Sequence, residues 1–172
     1  MEIETPRLLI SSVRPESAPD EFLAIFNSNP DYLESSDGKR AYRRADAETY
    51  LYAETSRENG HCLEIRLRED GALVGTAALL VPHTDGCPWI GLLILRADCQ
   101  GEGLGREAAA ALEAALAKEG WKEVRLGVLK SNERALPFWK NRGYRIIDQK
   151  SSSAGSPCWV MAKALSTDPV AD

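Results

Sequence analysis

The chain has 172 residues, of which 44% are hydrophobic and 27% charged, with a formal net charge of −5. A chain of this length can bury one core without disulfide or metal support, so residues 1–172 are expected to form a single domain. The acidic balance weighs against sequence-independent nucleic-acid binding, and no stretch approaches the roughly 20 apolar residues that span a bilayer.

From Arg7 to Val13 the chain is rich in strand formers, and the segment Pro15 to Pro19 breaks the pattern before Phe22, Leu23 and Phe26 recur at helical spacing. Asn29-Pro30 and Asp37-Gly38 read as turns, and Asn27 to Glu34 reads as a polar loop between helices. Asp46 to Asn59, with Tyr50, Leu51 and Glu54, is helix-compatible and stops at Gly60. Leu63, Ile65 and Leu67 then alternate with polar residues, Asp70-Gly71 supplies a hairpin turn, and Leu73 to Val81 returns. Beyond a turn at His83 to Gly86, Trp89 to Leu95 is apolar on both faces, as expected of a central strand.

Arg106 to Glu119 is alanine-rich, carries Leu104, Ala108, Leu112, Ala115 and Leu116 on one stripe, and meets a left-handed stop at Gly120. Val124, Leu126 and Val128 alternate as a strand, after which Ser131-Asn132 can cap a helix that runs through Lys140 and ends at Gly143. Pro137 predicts a distorted or late start for that helix. Tyr144 to Gln149 and Cys158 to Lys163 close the chain as a hairpin around the serine-rich segment 151–157. This order predicts an α/β (α+β) fold, with a mixed, mostly antiparallel sheet of about six or seven strands flanked by about four helices.

Cys62, Cys87, Cys99 and Cys158 are scattered without a C-x-x-C pair, and His61 and His83 lack metal-ligand spacing, so neither a disulfide framework nor a metal site is expected. The N-terminal residues lack a basic start followed by an apolar block, which predicts a cytoplasmic protein.

The run Gln100-Gly101-Glu102-Gly103-Leu104-Gly105 lies between the apolar strand and the alanine-rich helix. Glycines let the backbone approach a ligand, and a helix N-terminus offers unpaired amides and a positive dipole end, which together favour an anion. Arg106 adds a cation where the dipole alone prefers an acid. Gly105-Arg106-Glu107 lacks the Lys and hydroxyl of a nucleotide-triphosphate loop, and Arg106 occupies the position where a dinucleotide loop needs a glycine or alanine. By itself the loop could equally be an ordinary strand-to-helix connection.

A second run, Asn132 to Tyr144, joins it. Together with Leu93-Ile94-Leu95 the two runs resemble the GNAT superfamily of acetyl-CoA-dependent acyltransferases. The family loop Gln/Arg-x-x-Gly-x-Gly/Ala is matched by Gln100, Gly103 and Gly105, and its later motif by Asn132, Ala135, Phe138, Gly143 and Tyr144. The matched motifs cover about residues 88–147.

The resemblance implies transfer of an acetyl group from acetyl-CoA to a primary amine by direct attack on the thioester, without a metal. Leu93, Ile94 and Leu95 would pair with the pantetheine arm, and amides of that strand would polarise the carbonyl. The loop from Gln100 and Gly101 through Glu102, Gly103, Leu104 and Gly105 to Arg106 would hold the pyrophosphate, with Asn132, Phe138 and Trp139 along the CoA channel. Trp139 stands where many members have a tyrosine acid, and an indole N–H cannot act as one at neutral pH. Glu64 and Glu34 are the candidate bases, and Tyr32 and Glu34 the candidate substrate contacts. The acceptor is specified only as far as its class, a small-molecule or peptide amine, with the enzyme a monomer or homodimer. The rival is a CoA-binding module of the same fold that has lost catalysis.

Overall fold

The computed structural model of the protein describes residues 1–14, 17–152 and 154–166. Pro15 and Ser153, which the sequence placed in a break and a loop, lie outside them. Among the described residues one sheet contains eight strands: β1 (Glu2–Glu4), β2 (Leu8–Ser12), β3 (Gly60–Leu67), β4 (Leu73–Leu80), β5 (Trp89–Leu95), β6 (Glu123–Leu129), β7 (Arg145–Ser151) and β8 (Pro157–Ala164). Their order is β1-β2-β3-β4-β5-β6-β8-β7. The strand beyond the expected number is β1, whose three residues are too few to show a period and which pairs with β2.

Every pairing is antiparallel except β5 with β6, which is parallel and joins only Trp89 to Arg125 and Ile90 to Leu126. Beyond Ile90 the β6 side of β5 is therefore an unladdered edge, with backbone groups open to a partner. On its other side, the register with β4 passes from Ala78 opposite Leu92 to Leu79 opposite Ile90, so Gly91 is a bulge residue. A single extra residue reverses which face each later side chain takes. Accordingly Ile90, Leu93 and Leu95 join one core, and Leu92 and Ile94 join the other.

Those cores lie under two layers of helix. On one face α4 (Leu104–Lys118) buries Leu104, Ala108, Leu112 and Leu116 in the core it shares with the sheet, packing most closely on β1, β2 and β5. Leu112 and Leu116 have no exposure, and each such burial contributes about 1.5–3 kcal/mol. The other face takes α1 (Pro19–Asn27), α2 (Pro30–Asp37) and α3 (Arg44–Thr55), through Phe22, Ile25, Phe26 and Leu33.

Helix α2 corrects the expected loop at Asn27 to Glu34. Pro30 is its first residue, where no amide hydrogen is needed, and Gly38 closes it in the left-handed region at φ 71°. Both signals read as turns are thus the two ends of a helix. The next helix runs Arg44–Thr55 rather than from Asp46 to Asn59, because Asp46 accepts the Arg43 amide at 2.8 Å as an N-terminal cap. Finally, α5 (Ala135–Asn141) starts late, as Pro137 requires, with the Asn132 Oδ1 accepting the Ala135 amide at 3.2 Å.

Candidate active site

The glycine loop reaches α4 through two left-handed residues, Gly101 at φ 85° and Gly103 at φ 84°, and no side chain caps the helix. The amides of Leu104, Gly105 and Arg106 are therefore open, at the positive end of 15 aligned peptide dipoles. Arg106 is exposed beside them and makes no ion pair among the described residues. Leu104 instead points into the core, and Glu102 acts through its carbonyl, which accepts Arg7 Nη1 at 3.0 Å.

The loop is strapped from behind by the β1–β2 connection. Glu107 accepts the Thr5 hydroxyl at 2.6 Å, the Arg7 amide at 2.9 Å and Arg7 Nε at 2.7 Å. Burial works to raise the Glu107 carboxyl, but these three bonds and the Arg7 charge outweigh it and hold the group below its ordinary value. Gln100 is a second brace. Its Nε2 donates to Asn29 Oδ1 at 2.8 Å and to the Leu95 carbonyl at 2.9 Å, fixing the loop to the end of β5.

In front of this cradle lies a cleft of about 870 Å³, bordered by Leu93 to Leu95, Gly101, Gly103, Gly105, Arg106, Asn132, Phe138 and Trp139. The strand and helix ends singled out in the sequence thus meet at one place. Trp139 is 8% exposed and takes the edges or faces of Phe138 and Tyr144 at 4.9 and 5.0 Å in T-shaped contacts. Tyr144 is no substitute acid. Its hydroxyl donates to buried Glu113 at 3.2 Å, and burial followed by the Glu113 charge pushes the phenol far up. Glu113 also receives Arg142 at 2.7 Å and Lys163 at 2.6 Å, while Arg142 donates to the Arg106 carbonyl at 3.2 Å. That cluster ties the first turn of α4 to α5 and β8.

Neither candidate base borders the cleft. Glu64 is fully buried on β3, where it accepts Ser17 Oγ at 3.0 Å, Arg66 Nη2 at 3.3 Å and Arg14 Nη2 at 3.4 Å. Burial acts to raise its carboxyl, and the Arg66 and Ser17 bonds with the two arginine charges bring it below the ordinary value. Glu34 faces outward from α2 and pairs with Arg40. Tyr32, by contrast, borders the cleft and also a second one, of about 380 Å³.

The second cleft is bordered by Phe26, Tyr32, Asp37, Tyr42, Tyr50, Glu54, Arg57, Ala78, Gly91 and Leu92. Sequence reasoning placed Glu54 and Tyr50 only in a helical pattern and did not single out Tyr42 or Asp37. Their spacing, from the end of α2 through the following loop into α3, carries no signal, because the packing of α3 on α1 and β3 is what gathers them. Among the described residues no cluster of His, Cys, Asp and Glu could hold a metal ion, and no helix is long and apolar enough to cross a membrane.

A family model described as the acetyltransferase (GNAT) family matches residues 22–144. No curated protein matches the chain. Solved structures do. An acetyltransferase from Thermus thermophilus is 22% identical with a TM-score of 0.76, the match covering 96% of this chain and all of that one (100%). The acetyltransferase of Salmonella typhimurium that modifies the N-terminal serine of ribosomal protein L7/L12 is 12% identical, with a TM-score of 0.79 and coverage of 96% and 100%. The ribosomal-protein-S18-alanine N-acetyltransferase of Escherichia coli is 17% identical, with a TM-score of 0.65 and coverage of 95% and 97%. At these identities the likeness is one of fold.

Proposed function

The chain belongs to the acetyltransferase (GNAT) family, and from that premise we propose that all of it serves as one acyltransferase domain that moves an acetyl group from acetyl-CoA to a primary amine. The observation that carries this reading is the conjunction, in one cleft, of uncapped α4 amides, an Arg106 without an ion pair among the described residues, and the unladdered edge of β5. Bound acetyl-CoA supplies the activated acyl group. The amides of Leu104 to Arg106 and the Arg106 guanidinium match a diphosphate, and the open edge from Leu93 to Leu95 matches an extended amide-bearing arm.

The β4–β5 ladder is irregular at the Gly91 bulge, and on this reading strand amides there polarise the thioester carbonyl as charge develops on its oxygen. Phe138 and Trp139 supply the aromatic wall of the channel. Holding amine and thioester together on rigid strand and helix ends supplies the main advantage, that of proximity. Of the structurally similar proteins, one modifies the N-terminal serine of ribosomal protein L7/L12 and another is a ribosomal-protein-S18-alanine N-acetyltransferase, in keeping with an amine acceptor. The sequence's expectations of a cytoplasmic monomer or homodimer, working without metal or nucleic acid, belong to the same proposal.

A second reading is favoured by Trp139, which supplies no acid at the expected tyrosine position: a module that binds CoA and does not turn it over. Incubation with acetyl-CoA and a panel of amines separates the two. Acceptor-dependent release of CoA thiol is the expected result. Binding with no release for any amine supports the module. Acetyl-CoA at about 100 times its dissociation constant should stabilise the protein by roughly 2.7 kcal/mol, seen as a raised Tm. An unchanged Tm at millimolar acetyl-CoA removes both readings.

A further inference from the structure

Strand β5 passes from one cleft to the other. Leu93 to Leu95 border the first, Gly91 and Leu92 border the second, and Tyr32 borders both. The bulge at Gly91 is what turns the strand's faces at this junction. We propose that the second cleft binds a small primary amine as its ammonium ion, held against the rings of Phe26, Tyr32, Tyr42 and Tyr50, with Glu54 as the carboxylate that takes its proton. The inference rests on the acyl-transfer reading and names the acceptor of that same site.

Three observations select this class. First, the cleft, at about 380 Å³, is less than half the size of its neighbour and suits a compact ligand. Second, its wall is aromatic, with Phe26 packed against Tyr50 at 4.9 Å and against Tyr42 at 5.2 Å. Ring faces attract cations, and the Lys39 ammonium already stands 5.8 Å from the Tyr42 ring. Burial pushes the Tyr32 and Tyr42 phenols up to about 12 and Tyr50 well above its usual value, so the rings stay neutral and none serves as a base.

Third, the carboxylates differ in depth. The Glu54 side chain is 16% exposed and pairs with Arg57 at 3.1 Å, whereas Asp37 is 48% exposed with Lys39 at 3.9 Å. Glu54 is thus the sheltered acceptor and Asp37 sits at the rim. Across from them Ala78 and Gly91 present little side chain, leaving room for an amine to reach the bulge.

The chemistry balances without a further reactant. The ammonium gives one proton to Glu54, and the freed nitrogen pair forms the N–C bond to the acyl carbon. The C–S bond breaks with its electron pair on sulfur. The second nitrogen proton ends on that sulfur as the CoA thiol, and the proton held by Glu54 passes to solvent.

The test uses the full chain with acetyl-CoA and four amines: phenethylamine, tyramine, putrescine and glutamate. Thiol release gives kinetics, and titration calorimetry of each amine into the CoA-loaded protein gives binding without turnover. The expected result is turnover of at least one of the first three and exclusion of glutamate. Glu54→Gln should lower kcat/KM roughly 10²- to 10⁴-fold while acetyl-CoA affinity, which also reports folding, stays within twofold. Tyr42→Ala should raise KM, and weaken amine binding by calorimetry, roughly 2- to 30-fold with little change in kcat.

Retention of kcat/KM within threefold in Glu54→Gln overturns the role of Glu54. Preference for glutamate, or neither binding nor turnover of any amine by a wild-type protein that binds acetyl-CoA, overturns the acceptor class. Failure to bind acetyl-CoA at all removes the acyl-transfer reading itself.

Discussion

Along β5 the first cleft presents main chain, the open amides of α4 and the strand edge beyond Ile90, whereas the second presents side chains brought in by α1, α2, α3 and the loop at Tyr42. The two are subject to different constraints. A main-chain site demands particular backbone conformations, and so it fixes residue types such as the left-handed glycines at 101 and 103. A side-chain site can be rebuilt residue by residue on helices that lie over the sheet, without disturbing the strand beneath. On the acyl-transfer reading, one half of the active centre is therefore a constant of the architecture, and the other is the place where an acceptor is chosen.

The sharpest way to break this contrast is Arg106→Ala. Loss of a charge-assisted bond of about 1.5–3 kcal/mol should weaken acetyl-CoA binding roughly 10- to 150-fold. The ligand-free protein should gain about 0.3–1 kcal/mol, because a cation leaves the positive end of α4. Calorimetry and urea unfolding should thus move in opposite directions, and a loss in both denies Arg106 its place in the cradle. Gly103→Val tests the backbone requirement. A β-branched residue at φ 84°, with its Cβ 3.4 Å from Arg7 Nη2, should cost about 1–3 kcal/mol and disturb acetyl-CoA binding while sparing amine binding. Equal damage to both ligands would erase the distinction between the clefts.

The smallest effect on either ligand is expected from Glu64→Gln. Its carboxylate faces Arg14, Arg66 and Ser17, so kcat/KM should change less than tenfold. Stability behaves otherwise. With a depressed folded pKa, the contribution of Glu64 is fully present above the unfolded carboxylate value of about 4.3 and is lost as pH falls through the folded value. The variant should show a flatter decline of unfolding free energy below about pH 5, measured by urea titration across pH. A kcat/KM loss of 10²-fold or more would return Glu64 to the chemistry.

The same contrast explains what could be read from the sequence. The strand at Trp89, the loop from Gln100 to Gly105 and the alanine-rich helix are contiguous, and periodicity and glycine placement announce them directly. The late start of α5 at Ala135 followed from Pro137 by the same local logic. What escaped was non-local or ambiguous. Pro30 and Gly38 serve turns and helix ends alike, and only the burial of Leu33 between them decides for a helix. The strap from Thr5 and Arg7 to Glu107 spans about a hundred residues of sequence, and the meeting of Tyr42, Tyr50 and Glu54 with the Gly91 bulge depends on how α3 packs. Neither leaves a spacing that a sequence could display. Gln100 was legible as a motif residue, but its work as a brace to Asn29 and Leu95 was not.

On the acyl-transfer reading the glycine cradle holds a diphosphate, and that portion of the carrier is the same before and after the acyl group departs. On the acyl-transfer reading, spent CoA keeps nearly all of the contacts that acetyl-CoA makes there. Only the acetyl group itself distinguishes them, and burying its methyl near the bulge adds about 0.8 kcal/mol, roughly a fourfold preference. Free CoA therefore competes almost on equal terms, and the protein's working rate in a cell follows the acetylated fraction of the CoA pool more closely than the pool's size.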